Sequence, residues 1–134
     1  MTALSSYAEK KLLDHVFKNT AYTVPQAHIG LFTSDPTDSA SGTEASGSGY
    51  ARIRIDNKMS SATSNPDNSQ ITNSSVITFA AASGGAFGTI THIGIFDASS
   101  SGNLLAHGVL AASKVISDGD TFQINASGLV ITID

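Results

Sequence analysis

The sequence predicts an all-β, mainly antiparallel domain, a β-sandwich of jelly-roll type with about eight strands and one short N-terminal α-helix. Three observations carry that prediction. Apolar residues make up 40% of the chain and fall in short blocks. Clusters of Gly, Ser, Asn and Asp separate those blocks at intervals of roughly 8–12 residues. One segment alone has helical periodicity. At 134 residues the chain is expected to form a single domain, 1–134, large enough for one core. Only 13% of residues are charged, with a net charge of −4, against about 25% charged in typical globular domains. Ser and Thr together supply 33 residues, so the surface is expected to be rich in hydroxyls.

The helix is expected over 6–18. "SYAE" reads as a capping box, with Ser6 capping a free N–H and Glu9 reaching back. Ala8, Leu12, Leu13, Val16 and Phe17 then follow at helical spacing. Lys10, Lys11, Asp14, His15 and Lys18 fall mostly on the other side, and Asn19 and the run to Pro25 end the element. About three turns are marginal in isolation, so this helix must dock on its own sheet or on a neighbouring subunit.

From residue 26 to 134 everything reads as β. A strand covers 27–33. Residues 34–49 form a low-complexity loop with five Ser and three Gly, long enough to be either functional or disordered. "YARIRID" alternates: Ala51, Ile53 and Ile55 face one way and Tyr50, Arg52 and Arg54 the other. A second polar loop covers 56–70. Strands follow at 71–79, 89–97 and 103–110. "SDGD" at 117–120 is a tight turn with Asp-Gly at its centre, and strands at 121–125 and 128–133 close the chain.

Composition and motifs exclude several function classes. With no cysteine, disulfides and thiolate metal sites are out. The N-terminus has no signal-peptide pattern, no run approaches the length of a membrane-spanning helix, and the seven basic residues form no stripe for nucleic acid. "HIGLF" (28–32) and "HIGIF" (92–96) raise the question of a metal site using His28 and His92, with His107 and an aspartate as further ligands. Zinc needs three or four ligands in one shell, and no such spacing is present. The repeat reads instead as two similar core strands, each with a glycine notch for a close approach. No nucleophile elbow, P-loop, dinucleotide fingerprint or paired carboxylates occur. "DPTD" and "DGD" lack the remainder of a calcium loop and fit turn chemistry. The expectation is no catalytic, metal or cofactor-binding residue and no cofactor.

"LSSYAEKKLLDHVF", "HIGLFTSDPT", "GTEASGSGYARI", "THIGIFDASSSGNLLAHGVL" and "DGDTFQINASGLVITID", in that order and spacing, resemble a family of small virion proteins of tailed bacteriophages labelled tail-fibre proteins, alongside similar capsid decoration or cement proteins. The resemblance spans the chain outside 56–75 and implies a non-enzymatic virion structural protein. The leading expectation is a homotrimeric decoration protein. It would bind the major capsid protein on the outer capsid surface and stabilise capsomer contacts by mass action. The alternative is a tail-fibre or tail-associated module contacting the host surface, and a small hydrolase is a third. A chain with no Trp and only Tyr7, Tyr22 and Tyr50 has little to stack on sugar rings. The expected oligomer or capsid interface comprises Leu12, Leu13, Val16 and Phe17 of the helix with Tyr50, Arg52 and Arg54, helped by the two long loops. No nucleic-acid or membrane partner is expected.

Overall fold

Alternating apolar residues build most of the architecture seen in the computed structural model, which describes residues 2–23, 26–64 and 66–133. The elements are β1 (Thr2–Leu4), α1 (Ser6–Phe17), β2 (His28–Phe32), β3 (Ile53–Arg54), β4 (Thr63–Ser64), β5 (Ser69–Thr72), β6 (Ile77–Thr78), β7 (Gly88–Phe96), β8 (Leu104–Ile116), β9 (Gln123–Ile124) and β10 (Val130–Ile133). Eight strands form one sheet in the order β3-β2-β7-β8-β1-β10-β5-β4, and β6 pairs with β9 in a second. Every pairing is antiparallel except that of β1 with β10. The fold is therefore all-β and mainly antiparallel with one N-terminal helix, as expected. Its layers are unequal, eight strands and two, rather than the two matched sheets of a jelly roll.

The core lies on one face of β2 and β7. Ile29, Leu31, Ile93 and Ile95 join Ile77, Phe79, Phe87, Phe122 and Leu129 in one buried cluster. Fully burying each such side chain contributes about 1.5–3 kcal/mol. The opposite face carries a smaller cluster of Phe32, Phe96 and Leu104, with the two rings stacked at 6.0 Å. Both faces of β2 are covered, so all five of its residues are buried.

Several boundaries move. The helix is capped by Ser5, not Ser6: the Ser5 hydroxyl accepts from the Ala8 N–H at 3.2 Å and donates to the Leu104 carbonyl. Ser5 is held there because β1, which has too few residues to show a period, feeds the helix directly off the sheet. "YARIRID" forms a ladder only at Ile53–Arg54. The segment 34–49 is ordered. It returns along the edge of β2, where the Ala45 N–H donates to the Leu31 carbonyl at 2.8 Å. The 56–70 segment contains a 3₁₀ turn at Asp56–Lys58, strand β4 and the start of β5. The expected 71–79 strand is split between the two sheets as β5 and β6.

The split is organised by Asn73, which is completely buried. Its side-chain amide donates to the Asn125 and Ser75 carbonyls at 2.8 and 2.9 Å, and its carbonyl oxygen accepts from the Leu129 N–H at 2.9 Å. A buried amide with all these positions filled ties the end of β5 to the turn before β10. The Ser117–Asp120 turn forms, with Gly119 at φ 87°. Its flanking strands do not pair with each other, because β9 is taken by β6.

β8 is longer than expected and irregular. Val109 stands opposite His92 and Lys114 opposite Ile90, so five steps along β8 match two along β7. The residues between bulge out of the ladder. On its other edge, β8 is paired by β1 only at Ala106–Gly108.

Candidate interaction surfaces

The repeated pentapeptides pair with each other. Ile29 faces Ile95, Gly30 faces Gly94 and Leu31 faces Ile93, while His28 lies opposite Phe96 and His92 opposite Phe32. Antiparallel pairing therefore sends the two histidines to opposite ends of the ladder. The His28 Nδ1 lies 3.1 Å from the Gln26 carbonyl and the His92 Nδ1 2.8 Å from the Thr91 hydroxyl. The third candidate, His107, has its Nε2 2.9 Å from Asp38 Oδ1, so its ring ties the 34–49 segment down onto β8. Asp35 lies on the other ring nitrogen at 3.7 Å. These groups sit on opposite sides of one imidazole, which is the geometry of a latch rather than of a shared metal shell. No group of three or more potential ligands occurs among the described residues.

Both glycines are notches. A Cβ on Gly30 would lie 2.6 Å from Glu44 Oε1 and 3.0 Å from the Tyr50 hydroxyl; one on Gly94 would lie 2.8 Å from the Phe32 ring, 3.0 Å from Phe96 and 3.2 Å from Leu104. The group filling the Gly30 notch belongs to an ion-pair node. Arg52 Nε and Nη2 donate to the two Glu44 oxygens, both at 2.8 Å, in the fork geometry that suits a carboxylate. Arg52 Nη1 donates to the carbonyls of Ala98 and Ser101 at 3.1 and 2.8 Å, and the guanidinium lies 3.6 Å from the Phe96 ring centroid. Tyr50 donates to Glu44 at 2.7 Å and accepts from the Leu31 N–H at 3.0 Å. Burial pushes the Glu44 carboxyl up, but hydrogen bonds from Arg52 and Tyr50 outweigh it and hold it below its ordinary value. Burial and the Glu44 hydrogen bond push the Tyr50 phenol up. The node joins three loops.

Of the residues expected at an interface, the helical four and the other three therefore differ. The side chain of Arg52 is 7% exposed, and its fork closes on its own chain. Arg54 does the same with Asp56, at 2.7 and 2.8 Å. Tyr50 is built into the node and packs edge-on to Phe87 at 5.4 Å. By contrast Leu12, Leu13, Val16 and Phe17 are exposed by 39, 58, 58 and 81%. Only Ala8 of the helix is buried, so the helix is pinned at its start and its apolar ridge faces solvent. Surface was also missed by reading the sequence. Val109 and Val115 are 63 and 67% exposed, and a cavity of about 660 Å³ lies between residues 110–116 of β8 and the 121–128 segment. The register slip in the β8 wall of this cavity leaves no trace in hydrophobic periodicity.

A family model described as podophage GP4 fiber I protein gp80 matches residues 3–132. The chain belongs to this family. It is a phage virion structural protein of the fibre type, and the gp80-family match runs through the 56–75 stretch that the motif resemblance had left out. A search of curated proteins finds no match. No helix among the described residues of this gp80-family protein is long and apolar enough to cross a membrane.

Proposed function

We propose that the chain is a non-enzymatic building unit of a fibre on the phage tail, working through protein–protein contacts. The observation that carries this reading is the fibre family matched across residues 3–132. The surface chemistry supports it. The one apolar ridge on the helix is of a size that suits a protein neighbour, while the tyrosines are spent internally: Tyr50 on Glu44, and Tyr7 edge-on to Tyr22 at 6.4 Å. Exposed Phe17 sits among aliphatic residues rather than in an aromatic platform. That favours an attachment or shaft role over a sugar-binding tip. Quantitative mass spectrometry of purified virions, with antibody labelling of particles, tests the reading. A copy number far below that of the major capsid protein, with label on the tail, is expected. A copy number comparable to that of the capsid protein, with label over the head, would replace it with capsid decoration.

A further inference from the structure

The helix ridge and the β8 groove are two unpartnered apolar features of opposite shape on one chain. We propose that α1 of one copy docks in the β8–β10 groove of a second copy, making a head-to-tail contact. The groove is lined by Leu110, Ala111, Ala112, Phe122 and Ile124, and a smaller hollow of about 160 Å³ with Ile93, Val109 and Leu129 continues it. Its wall is the bulge between Val109 and Lys114. A bulge breaks the even spacing of backbone groups that an added strand needs, so this wall suits a helix laid in by its side chains. Leu12, Leu13, Val16 and Phe17, at i, i+1, i+4 and i+5, are such a set of anchors.

The occupant is a second copy because the chain's own helix is held elsewhere. The Ser5 N–H donates to the Leu105 carbonyl at 2.8 Å, and its hydroxyl is bonded to Leu104, at the far end of β8 from the groove. The ridge remains in solvent there. Charge also matches. The helix carries Lys10, Lys11 and Lys18 against Glu9 and Asp14, and Lys10 is already paired with Asp14 at 2.6 Å. The groove ends beside the exposed turn holding Asp118 and Asp120, against one groove lysine, Lys114. A contact joining two different patches is heterologous, so copies close into a ring or extend as a filament. Either outcome is an assembly a fibre subunit can use, and the contact does not depend on where on the virion the protein sits.

The chain has no cysteine, which makes disulfide mapping clean. Reduced Val16→Cys and Ala112→Cys proteins are each oxidised alone and, in parallel, oxidised together as an equimolar mixture. Cross-linked dimers in the mixture and not in either protein alone are expected. Light scattering should show an oligomer for wild type, and Phe17→Glu should weaken self-association at least about tenfold with an unchanged denaturation midpoint at concentrations where both proteins are monomeric. Cross-linking of Val16→Cys with itself would replace this contact with helix-to-helix pairing. A monomeric wild type giving no cross-link in the mixture would overturn self-docking altogether.

Discussion

Gly30 and Gly94 sit opposite each other in the central ladder, inside pentapeptides that differ at one residue, yet they make room for different things. Gly94 receives the apolar cluster of Phe32, Phe96 and Leu104, whereas Gly30 receives a carboxylate and a phenol. The same local sequence thus serves an apolar close approach on one strand and a polar one on its neighbour. A glycine in a strand marks that something comes near; the long-range partner decides what. Arg52 links the two sites, since its fork holds Glu44 over Gly30 and its flat face lies on Phe96 beside Gly94.

Removing that link should have the largest effect. Arg52→Ala deletes four hydrogen bonds and leaves Glu44 half-buried beside an apolar surface, so a loss of about 3–4 kcal/mol is expected. Chemical denaturation should show a lower midpoint with an unchanged slope. Gly94→Val comes next, at about 2–3 kcal/mol, because packed ring atoms cannot yield without disturbing both clusters. Gly30→Ala should cost less, about 1–2 kcal/mol, since the obstructing atoms end side chains that can shift; the same denaturation series orders the three.

Acid separates the two sites further. The folded-state value of Glu44 lies below its ordinary 4.5, so its pairing contributes fully above about pH 4.5 and is lost as pH falls through the lowered value. A Glu44→Gln variant should therefore be less stable than wild type at pH 7, and the gap should narrow towards pH 3. The Gly94→Val penalty should be the same at both pH values. Asp14 and Asp56 are also held low, by Lys10 and Arg54 respectively, which is why the variant difference is the quantity to compare. The smallest effect belongs to the histidines: zinc titration of wild type and of a His28→Ala/His92→Ala variant should give the same weak, unsaturable signal.

Much of the fold was legible because it rests on local periodicity. The β2 and β7 strands, the apolar faces of both pentapeptides and the amphipathic helix follow from spacing alone. The candidate interaction surface was half legible. A ridge of Leu12, Leu13, Val16 and Phe17 is visible in a helical wheel, and the structure leaves it exposed. The groove has as one wall the stretch of β8 that slips in register against β7, a relation between two strands that neither announces. Arg52 was correctly placed on the face away from Ile53, but its carboxylate partner was hidden. Glu44 reaches it only because the 34–49 segment folds back along β2. Short β1 and the split between β5 and β6 went unread for the same reason, since long-range pairing sets them.

Asn73 has a practical consequence for making the protein. With Ser74 and Ser75 it spells a glycosylation acceptor, as Asn125 does with Ala126 and Ser127. Both amide hydrogens of Asn73 are spent inside the fold, so a sugar attached there would remove one internal bond and have no room. A eukaryotic secretory host, which modifies such sites as the chain emerges, should trap the protein unfolded. Bacterial or cytosolic production, where neither acceptor is modified, avoids that trap.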